Sequence, residues 1–418
     1  MTFAQGASLF LLAAALVGAI WQRVNIGVLA LAAAFPVLAL SGLDPKKMYE
    51  TFPGDLFVLI VGVSLLFVHL ERSGALKWIV EKIFGIVGER TALLPWAAFV
   101  LAGALTSAGA FSTAVIAFLV PMIAYVMVRY RDRFLHCELA VVIAANCGGL
   151  SPLNPTGTLV RETADKVGVH YSTWGLWAAS MVVAVVVVLA LQGLDAIRRR
   201  RGRAPWATPA ATVESETPTE KTSLAYQWSA GLAMIAFLVA VVGFKTDVGV
   251  TAVFLVAVLQ LVFRPAEKAL LTRVPWSSVL LLCGLLTYLG VMKAIGTMTS
   301  IQHGLDHIDS RWLLILVMAY MTALLCNIES STLGVLGLIT PLLFDAFGTS
   351  TQTFWVVVAV AVPAALMVMN PIHVAGTLII GSSAEQDRDR LFPKLLTIAG
   401  SLAVITPGLL AIVPIAIG

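Results

Sequence analysis

Two short stretches of turn-forming residues interrupt apolar runs of this chain, and they constrain its fold more than any other feature. The first is Ser151 to Leu159 (SPLNPTGTL), and the second is Asn370 to Leu378 (NPIHVAGTL), 370 − 151 = 219 positions later. Proline and glycine break a helix and leave backbone groups unpaired. In lipid such groups are tolerated only where protein or a water-filled cavity satisfies them. Two such breaks at matching places in two halves predict a transporter binding site.

The composition places the chain in a membrane. Of its 418 residues, 59% are hydrophobic and only 12% are charged, whereas a soluble domain averages about 25% charged residues. The net charge of +4 does not indicate nucleic-acid binding, because the basic residues fall in short loops, where they set topology. The four cysteines lack metal-site spacing, so we interpret them as packing residues and expect no cofactor.

Apolar runs near the ~20 residues that a bilayer requires predict an all-α polytopic membrane protein. In the first half they are 6–22, 24–42, 55–71, an amphipathic interfacial stretch 72–90, two short hairpin arms 92–106 and 114–128, a broken span 138–163, and 173–194. In the second half they are 226–243, 247–263, 275–292, a polar stretch 293–310, hairpin arms 311–325 and 333–347, a broken span 353–382, and 395–416. Arms of about fifteen residues are short for a full crossing, so each pair predicts a re-entrant hairpin. The first run has no basic residue before it, and we expect a true span there instead of a signal peptide.

The two halves match residue by residue, which indicates an internal duplication. Val24–Val28 corresponds to Thr246–Val250, and Gly62 corresponds to Gly284, both with an offset of 222. Further matches with offsets of 219 to 222 pair Gly74 with Gly296, Pro121 with Pro341 and Gly157 with Gly376. We therefore predict inverted repeat 1 over residues 1–196, a flexible cytoplasmic linker over 197–225, and inverted repeat 2 over 226–418.

Each half has five full crossings and one hairpin, and an odd number of crossings inverts the second repeat relative to the first. With both termini outside the cell membrane, 20 of the 27 Lys and Arg residues fall in cytoplasmic segments, in agreement with the positive-inside rule. The seven that fall outside are Lys46, Lys47, Arg161, Lys166, Lys245, Lys293 and Arg311. The hairpins then enter from opposite sides, and their tips approach each other near the middle of the membrane.

The hairpin tips and the two breaks carry the polar groups of the predicted site. At each tip a helix begins, so free N–H groups and the positive end of a helix dipole face the membrane centre, which suits a carboxylate. The predicted substrate-binding residues are Thr106, Ser107, Ser112, Thr113, Asn154, Pro155, Thr156, Asn327, Ser331, Thr332, Asn370, Pro371, His373 and Thr377.

Exposed carbonyls and Asn or Thr oxygens are the hard ligands that a sodium ion prefers. The possible sodium ligands are Ser112, Asn154, Gly157, Asn327, Glu329, Asn370 and Gly376. The alternative for each residue taken alone is that its hydroxyl bonds back within its helix or that its small size permits close packing. Glu329 is either a cation ligand or proton carrier, or a residue at the watery mouth of the hairpin. His373 is either a substrate donor or pH-sensitive group, or a packing histidine.

The stretch Phe52 to Phe67 (FPGDLFVLIVGVSLLF), with Asn25-Ile26-Gly27 before it, resembles the N-terminal part of MatC-type dicarboxylate carriers. The whole architecture is similar to the divalent-anion/sodium symporters of the ion transporter superfamily. Those symporters carry a Ser-Asn-Thr motif at each tip, and the aligned residues here, Phe111–Thr113 and Ser331–Leu333, lack the Asn. The resemblance implies a mobile transport domain of hairpins and broken helices, an elevator-like motion, and a scaffold that forms a homodimer.

These observations lead to one main function hypothesis and one alternative. The main hypothesis is a secondary transporter of a small carboxylate such as malonate or succinate, coupled to sodium. Its other expected partner is membrane lipid, and no nucleic-acid partner is expected. The alternative is proton-coupled transport of another anion or metabolite through Glu329. An enzyme is not expected, because the sequence has no HExxH, no GxSxG and no paired intramembrane aspartates.

Overall fold

The computed structural model describes most of the chain and allows its helices to be traced. The described residues are 2–22, 24–87, 90–128, 130–201, 207–209, 223–264, 270–297, 299–300, 310–328, 332–348, 352–371 and 373–417. Within them, five helices are long and apolar enough to cross a membrane, and shorter apolar helices accompany them. The protein is an all-α, multi-pass membrane protein, as the sequence predicts.

The first half consists of ten helices among the described residues. They are α1 (Phe3–Gln22), α2 (Ile26–Ser41), α3 (Lys46–Glu50), α4 (Gly54–Arg72), α5 (Ala75–Val87), α6 (Leu94–Ser107), α7 (Ser112–Met127), α8 (Phe134–Gly148), α9 (Pro155–Asp165) and α10 (Thr173–Arg200). The pair α6 and α7 forms the first predicted hairpin, and α8 and α9 are the two parts of the first broken span.

The described residues of the second half show the same order. They form α11 (Leu224–Leu238), which continues into a π-helix over Val239–Gly243, then α12 (Val248–Phe263), α13 (Trp276–Ala294), α14 (Arg311–Ile328), α15 (Thr332–Phe347), α16 (Thr353–Leu366), α17 (Val374–Ser382) and α18 (Glu385–Ile417). The pair α14 and α15 forms the second hairpin. A turn of 3-10 helix, Met367–Met369, separates α16 from α17 in the second broken span.

The helices fall where the apolar runs predict them, with three local differences. The short helix α3 was not predicted. The segment from residue 197 was assigned to the linker, but α10 continues through Arg200, because nothing in its last turns breaks a helix. Part of the linker also docks, since the backbone N–H and the hydroxyl of Thr208 donate to Asp387 Oδ2 at 2.9 and 2.8 Å. The predicted repeat limits and their inverted orientation stay predictions.

The halves are joined by two reciprocal helix crossings built on glycine. A Cβ atom on Gly27 of α2 would lie 2.0 Å from the carbonyl oxygen of Leu280 in α13, and one on Gly284 of α13 would lie 2.1 Å from the Gly27 carbonyl oxygen. The residues at the matching positions, Gly249 of α12 and Gly62 of α4, bring those two helices together in the same way. Small residues let membrane helices approach closely enough for backbone contact. Each half therefore packs its second span against the third span of the other.

Each broken span also contacts the hairpin of the opposite half. The segment α9 packs against α15, and α17 packs against α7. At the first of these contacts, a Cβ atom on Gly337 would lie 3.5 Å from Leu159 Cδ2. The cores of these helices belong to one hydrophobic cluster, which includes Ile116, Val160, Ile339 and Ile379. Because each broken span packs against the hairpin of the other half, both hairpins and both breaks form one packed unit.

Candidate functional site

The first hairpin tip, residues 108–111, is clamped by the first helix break. Asn154 caps α9, since its Oδ1 accepts the backbone N–H of Thr156 at 3.0 Å. The Asn154 side-chain amide donates to the carbonyl of Thr106 at 2.9 Å and to that of Ala110 at 2.8 Å. One buried side chain thus bonds to carbonyls at both ends of the tip, and the Thr106 carbonyl also accepts the backbone N–H of Gly109 at 3.0 Å.

Ser107 at the end of α6 is held from two directions. Its carbonyl accepts the hydroxyl of Ser151 at 2.7 Å, and its own hydroxyl accepts the indole N–H of Trp177 at 2.8 Å. Ser151 and Trp177 come from the break and from α10, so three elements meet at this serine. The predicted ligand Ser107 is therefore a structural anchor of the tip in this conformation.

The other hydroxyls near the first tip divide into two groups. Thr106 donates back to the Ala102 carbonyl at 3.0 Å, and Thr158 donates to the Pro152 carbonyl at 3.0 Å, so both are used locally. Ser112 and Thr113, in the first turn of α7, have no protein partner for their hydroxyls in the described part of the chain. These two first-turn hydroxyls are the ones that remain open to a ligand.

The second tip has a matching clamp built from different side chains. At the offset of 219, Asn370 corresponds to Ser151 and His373 corresponds to Asn154. The Asn370 amide donates to the carbonyl and to Oδ1 of Asn327 at 3.3 and 3.2 Å. Asn327 in turn donates to the Ala323 carbonyl at 3.1 Å. The two breaks therefore hold the hairpins of their own halves in the same manner.

His373 and Thr332 leave polar atoms unsatisfied beside the second tip. The His373 ring is 2% exposed and lies beside the backbone of Cys326 and Asn327, yet neither ring nitrogen makes a hydrogen bond of ordinary geometry within the described residues. The Thr332 hydroxyl, at the start of α15, is also buried without a partner there. Buried polar groups are nearly always paired, so these side chains are candidates to bind a polar ligand.

Two matching glycines allow each break to fold back on the helix that follows it. A Cβ atom on Gly157 would lie 2.1 Å from the Ser151 carbonyl oxygen, and one on Gly376 would lie 2.4 Å from that of Asn370. The same carbonyls already accept backbone N–H groups within the breaks, from Asn154 at 3.0 Å and from His373 at 2.9 Å. The Ser151 and Asn370 carbonyls are each engaged by a backbone N–H within their own break, and the roles of the predicted sodium ligands stay predictions.

The remaining predicted residues are placed as follows. Pro155, Thr156 and Pro371 are buried in the breaks, beside the clamps. Thr377 is exposed and donates to the Val374 carbonyl at 2.9 Å, so the structure does not bring it to the second tip. Glu329 and Ser331 lie outside the described residues. The roles of all these residues in binding stay predictions.

Sequence reasoning missed one residue at the first tip, Trp177, and one buried acidic residue elsewhere in the hairpin-and-break body, Glu138. Trp177 escaped notice because an aromatic residue near the end of a span is usually an interfacial anchor. Glu138 on α8 is fully buried, and neither of its carboxylate oxygens has a hydrogen-bond partner in the described part of the chain. The signal for Glu138 was present, since it is a lone acidic residue in an otherwise apolar run, and an intramembrane carboxyl is a functional candidate by default.

Two cavities border the broken segment α9. One, of about 360 Å³, lies between α4, α9, α13 and α15 and is lined by Asp55 and Glu162. Lys166 Nζ lies 3.9 Å from Asp55 Oδ2 at the same place. The other, of about 540 Å³, lies between the first break, α10 and the loop after α11. The lysines and the arginine that line them all come from segments predicted to face the outside.

Comparison with known proteins supports a transporter. Residues 4–149 match the family model described as the dicarboxylate carrier protein MatC N-terminus. The crystal structure of the Alcanivorax borkumensis YdaH transporter resembles this fold with a TM-score of 0.56 and 16% sequence identity, over 89% of this chain and 88% of that one. A search of curated proteins finds no match. The resemblance stated from the sequence is confirmed, for the carrier over the N-terminal third and for a transporter fold over most of the chain.

Proposed function

We propose that this protein is a secondary transporter of small carboxylates, such as malonate or succinate, driven by sodium. The observation that carries the proposal is the pair of clamped hairpin tips, each tied to a helix break of its own half. At the second tip, the Thr332 hydroxyl is buried without a partner among the described residues, and the buried His373 ring lies beside the backbone of Cys326 and Asn327. Both groups could donate a hydrogen bond to a carboxylate. The dicarboxylate carrier model, matched over residues 4–149, supports the substrate class.

The open hydroxyls of Ser112 and Thr113 suit a carboxylate at the first tip. They lie in the first turn of α7, where free N–H groups and the helix dipole favour an anion. Sodium would be held by oxygen atoms near the tips, with Asn327 and Asn370 as the leading candidates. Binding of the cation beside the anion would offset the charge that either one brings into the membrane.

We further propose that the body formed by the hairpins and breaks moves as one unit against the remaining helices. The clamps at both tips and the crossed packing of α9 on α15 and α17 on α7 support a rigid moving body. The glycine crossings of α2 with α13 and of α4 with α12 support a fixed scaffold. A homodimer through that scaffold is the arrangement that the resemblance implies.

The experiment is uptake of labelled malonate and succinate into proteoliposomes that contain the purified protein. An inward sodium gradient should increase the initial rate at least tenfold over a potassium gradient of the same size. Equal rates under both gradients, with pH clamped, would reject sodium coupling. Absence of uptake of any tested carboxylate under either gradient would reject the substrate class.

A second candidate is proton coupling, which the burial of Glu138 favours. A buried carboxyl with no partner can take up and release a proton as its surroundings change. Glu329 is the other acidic candidate from the sequence. Uptake that follows a pH gradient without sodium, and that Glu138→Gln or Glu329→Gln abolishes, would favour this second function.

A further inference from the structure

The cavity of about 540 Å³ beside the first break is lined by both apolar and charged residues. We call it the outer cavity, because its charged residues come from segments predicted to lie outside. Its lining includes Pro152 and Leu153 of the break, Arg161 of α9, Trp174 of α10, and Lys245 and Asp247 between α11 and α12.

The charged lining of the outer cavity is positive overall. Arg161 and Lys245 contribute two positive charges, and Asp247 contributes one negative charge. Asp247 Oδ1 accepts the backbone N–H of Val250 at 2.8 Å and so caps α12. The positive end of the α12 dipole partly offsets that carboxylate. Neither cation has an ion-pair partner among the described residues, so both are available to an anion.

Lys245 has an unusual backbone conformation. Its φ is 53°, in the left-handed region that is unfavourable for a non-glycine residue. The preceding π-helix, Val239–Gly243, widens the end of α11. Strained residues and π-helices persist where the surrounding structure fixes them, frequently at functional sites. Lys245, in this left-handed conformation, lines the outer cavity.

Two lining residues of the outer cavity, Leu153 and Trp174, connect it to the first tip. The Leu153 carbonyl oxygen would lie 3.0 Å from a Cβ atom on Gly109 in the tip. Trp174 contacts Trp177 edge to face, with ring centroids 5.8 Å apart, and Trp177 donates to the Ser107 hydroxyl. An anion in this cavity would therefore be separated from the tip only by the break and the tryptophan pair.

We propose that the outer cavity is an entry site, which holds a small carboxylate through Arg161 and Lys245 before it reaches the hairpin tips. Its volume lies in the range of small-ligand sites, and cations that line a cleft raise the local concentration of an anion. The identity of the anion rests on the proposed function. The positive charge of the cavity does not depend on the proposed function. The charge of the cavity and the identity of the anion can therefore be tested separately.

The first test measures the potential of the outer cavity without any transport. Val242→Cys places a thiol in its lining, whereas the four native cysteines are buried. The measurement uses purified full-length protein. It is the labelling rate with a negatively charged methanethiosulfonate divided by the rate with a neutral one. Arg161→Gln and Lys245→Gln should each lower that ratio about threefold at low salt.

Lys46→Gln is the matched control, since it removes the same charge from the same predicted side and Lys46 lines neither cavity. It should leave the ratio unchanged. Equal ratios in the control and in both cavity variants would overturn the proposal. A variant that fails to fold is recognised because its labelling rate with the neutral reagent also changes. In that case Arg161→Lys, which keeps the positive charge, serves as the comparison.

The second test uses the substrates in proteoliposomes. Arg161→Gln and Lys245→Gln should each raise the KM for malonate or succinate at least fivefold relative to Lys46→Gln, with the maximal rate unchanged. The KM of each cavity variant should also depend less on salt concentration. Carboxylate uptake with the same KM in all three variants would overturn the entry site. Absence of carboxylate uptake together with a positive labelling result would reject the proposed function and leave an anion site for another substrate.

Discussion

The side chain of Asn154 donates a hydrogen bond of 2.9 Å to the carbonyl of Thr106, across 154 − 106 = 48 residues of sequence. Its second amide hydrogen reaches the carbonyl of Ala110 at 2.8 Å. A residue that caps the helix after a break therefore also fixes the tip of the preceding hairpin. This contact couples the two irregular segments of the first half, and the first prediction follows from it.

Asn154→Ala should lower the stability of the protein by about 2 kcal/mol, since the carbonyls of Thr106 and Ala110 each lose one buried hydrogen bond at about 1 kcal/mol each. Carboxylate uptake should fall strongly as the tip loosens. The measurements are thermal unfolding in detergent and uptake in proteoliposomes. Asn146→Ala is the control, because the Asn146 amide donates to the Val142 carbonyl within its own helix. Equal effects of the two variants would contradict the clamp.

His373→Asn should preserve the fold and impair transport. It introduces at the second tip the residue that occupies the equivalent position of the first, so the amide can donate to the nearby backbone. The substrate would lose a hydrogen bond, and we expect the KM for carboxylate to rise tenfold to a hundredfold. Thermal unfolding checks the fold, and initial uptake rates check the KM. An unchanged KM in a stable variant would make His373 a packing residue.

Gly27→Ala should destabilise the protein by about 3 kcal/mol, because the added methyl group must displace the backbone of α13. Gly18→Ala is the control, since its methyl group would lie 3.7 Å from Leu29 Cδ1, an ordinary contact. The control should be neutral or slightly stabilising, as alanine favours a helix over glycine. Thermal unfolding of both variants in the same detergent decides the matter. Similar unfolding temperatures would show that α2 and α13 can separate at little cost.

Glu138→Gln should leave sodium-driven uptake and thermal stability close to those of the wild type. The substitution keeps the shape of a side chain that has no hydrogen-bond partner in the described part of the chain, and it removes only the ability to exchange a proton. The measurement is uptake at fixed sodium gradient over a range of pH. Loss of uptake in a folded variant would instead assign Glu138 to proton coupling.

Much of the fold follows from the sequence, because lipid imposes simple rules on it. The apolar run predicted over 55–71 is α4, Gly54–Arg72, and the breaks at Ser151 and Asn370 separate pairs of shorter helices as proline and glycine require. The glycines at 27, 62, 249 and 284 were visible as matched positions. Which helices these glycines bring together could not be predicted. A glycine in a sequence indicates a close approach but does not identify the helix that approaches it.

The candidate site was located by the sequence but not assembled by it. The pattern of proline, glycine and small polar residues fixed which segments would be irregular, because those residues cannot continue a helix. Only the tertiary structure decided that Asn154 holds the first tip, that Trp177 occupies the Ser107 hydroxyl, and that the His373 ring is buried beside the backbone of Cys326 and Asn327. Hydrogen bonds between segments dozens of residues apart depend on distance and direction in space, and composition and spacing carry no information about either.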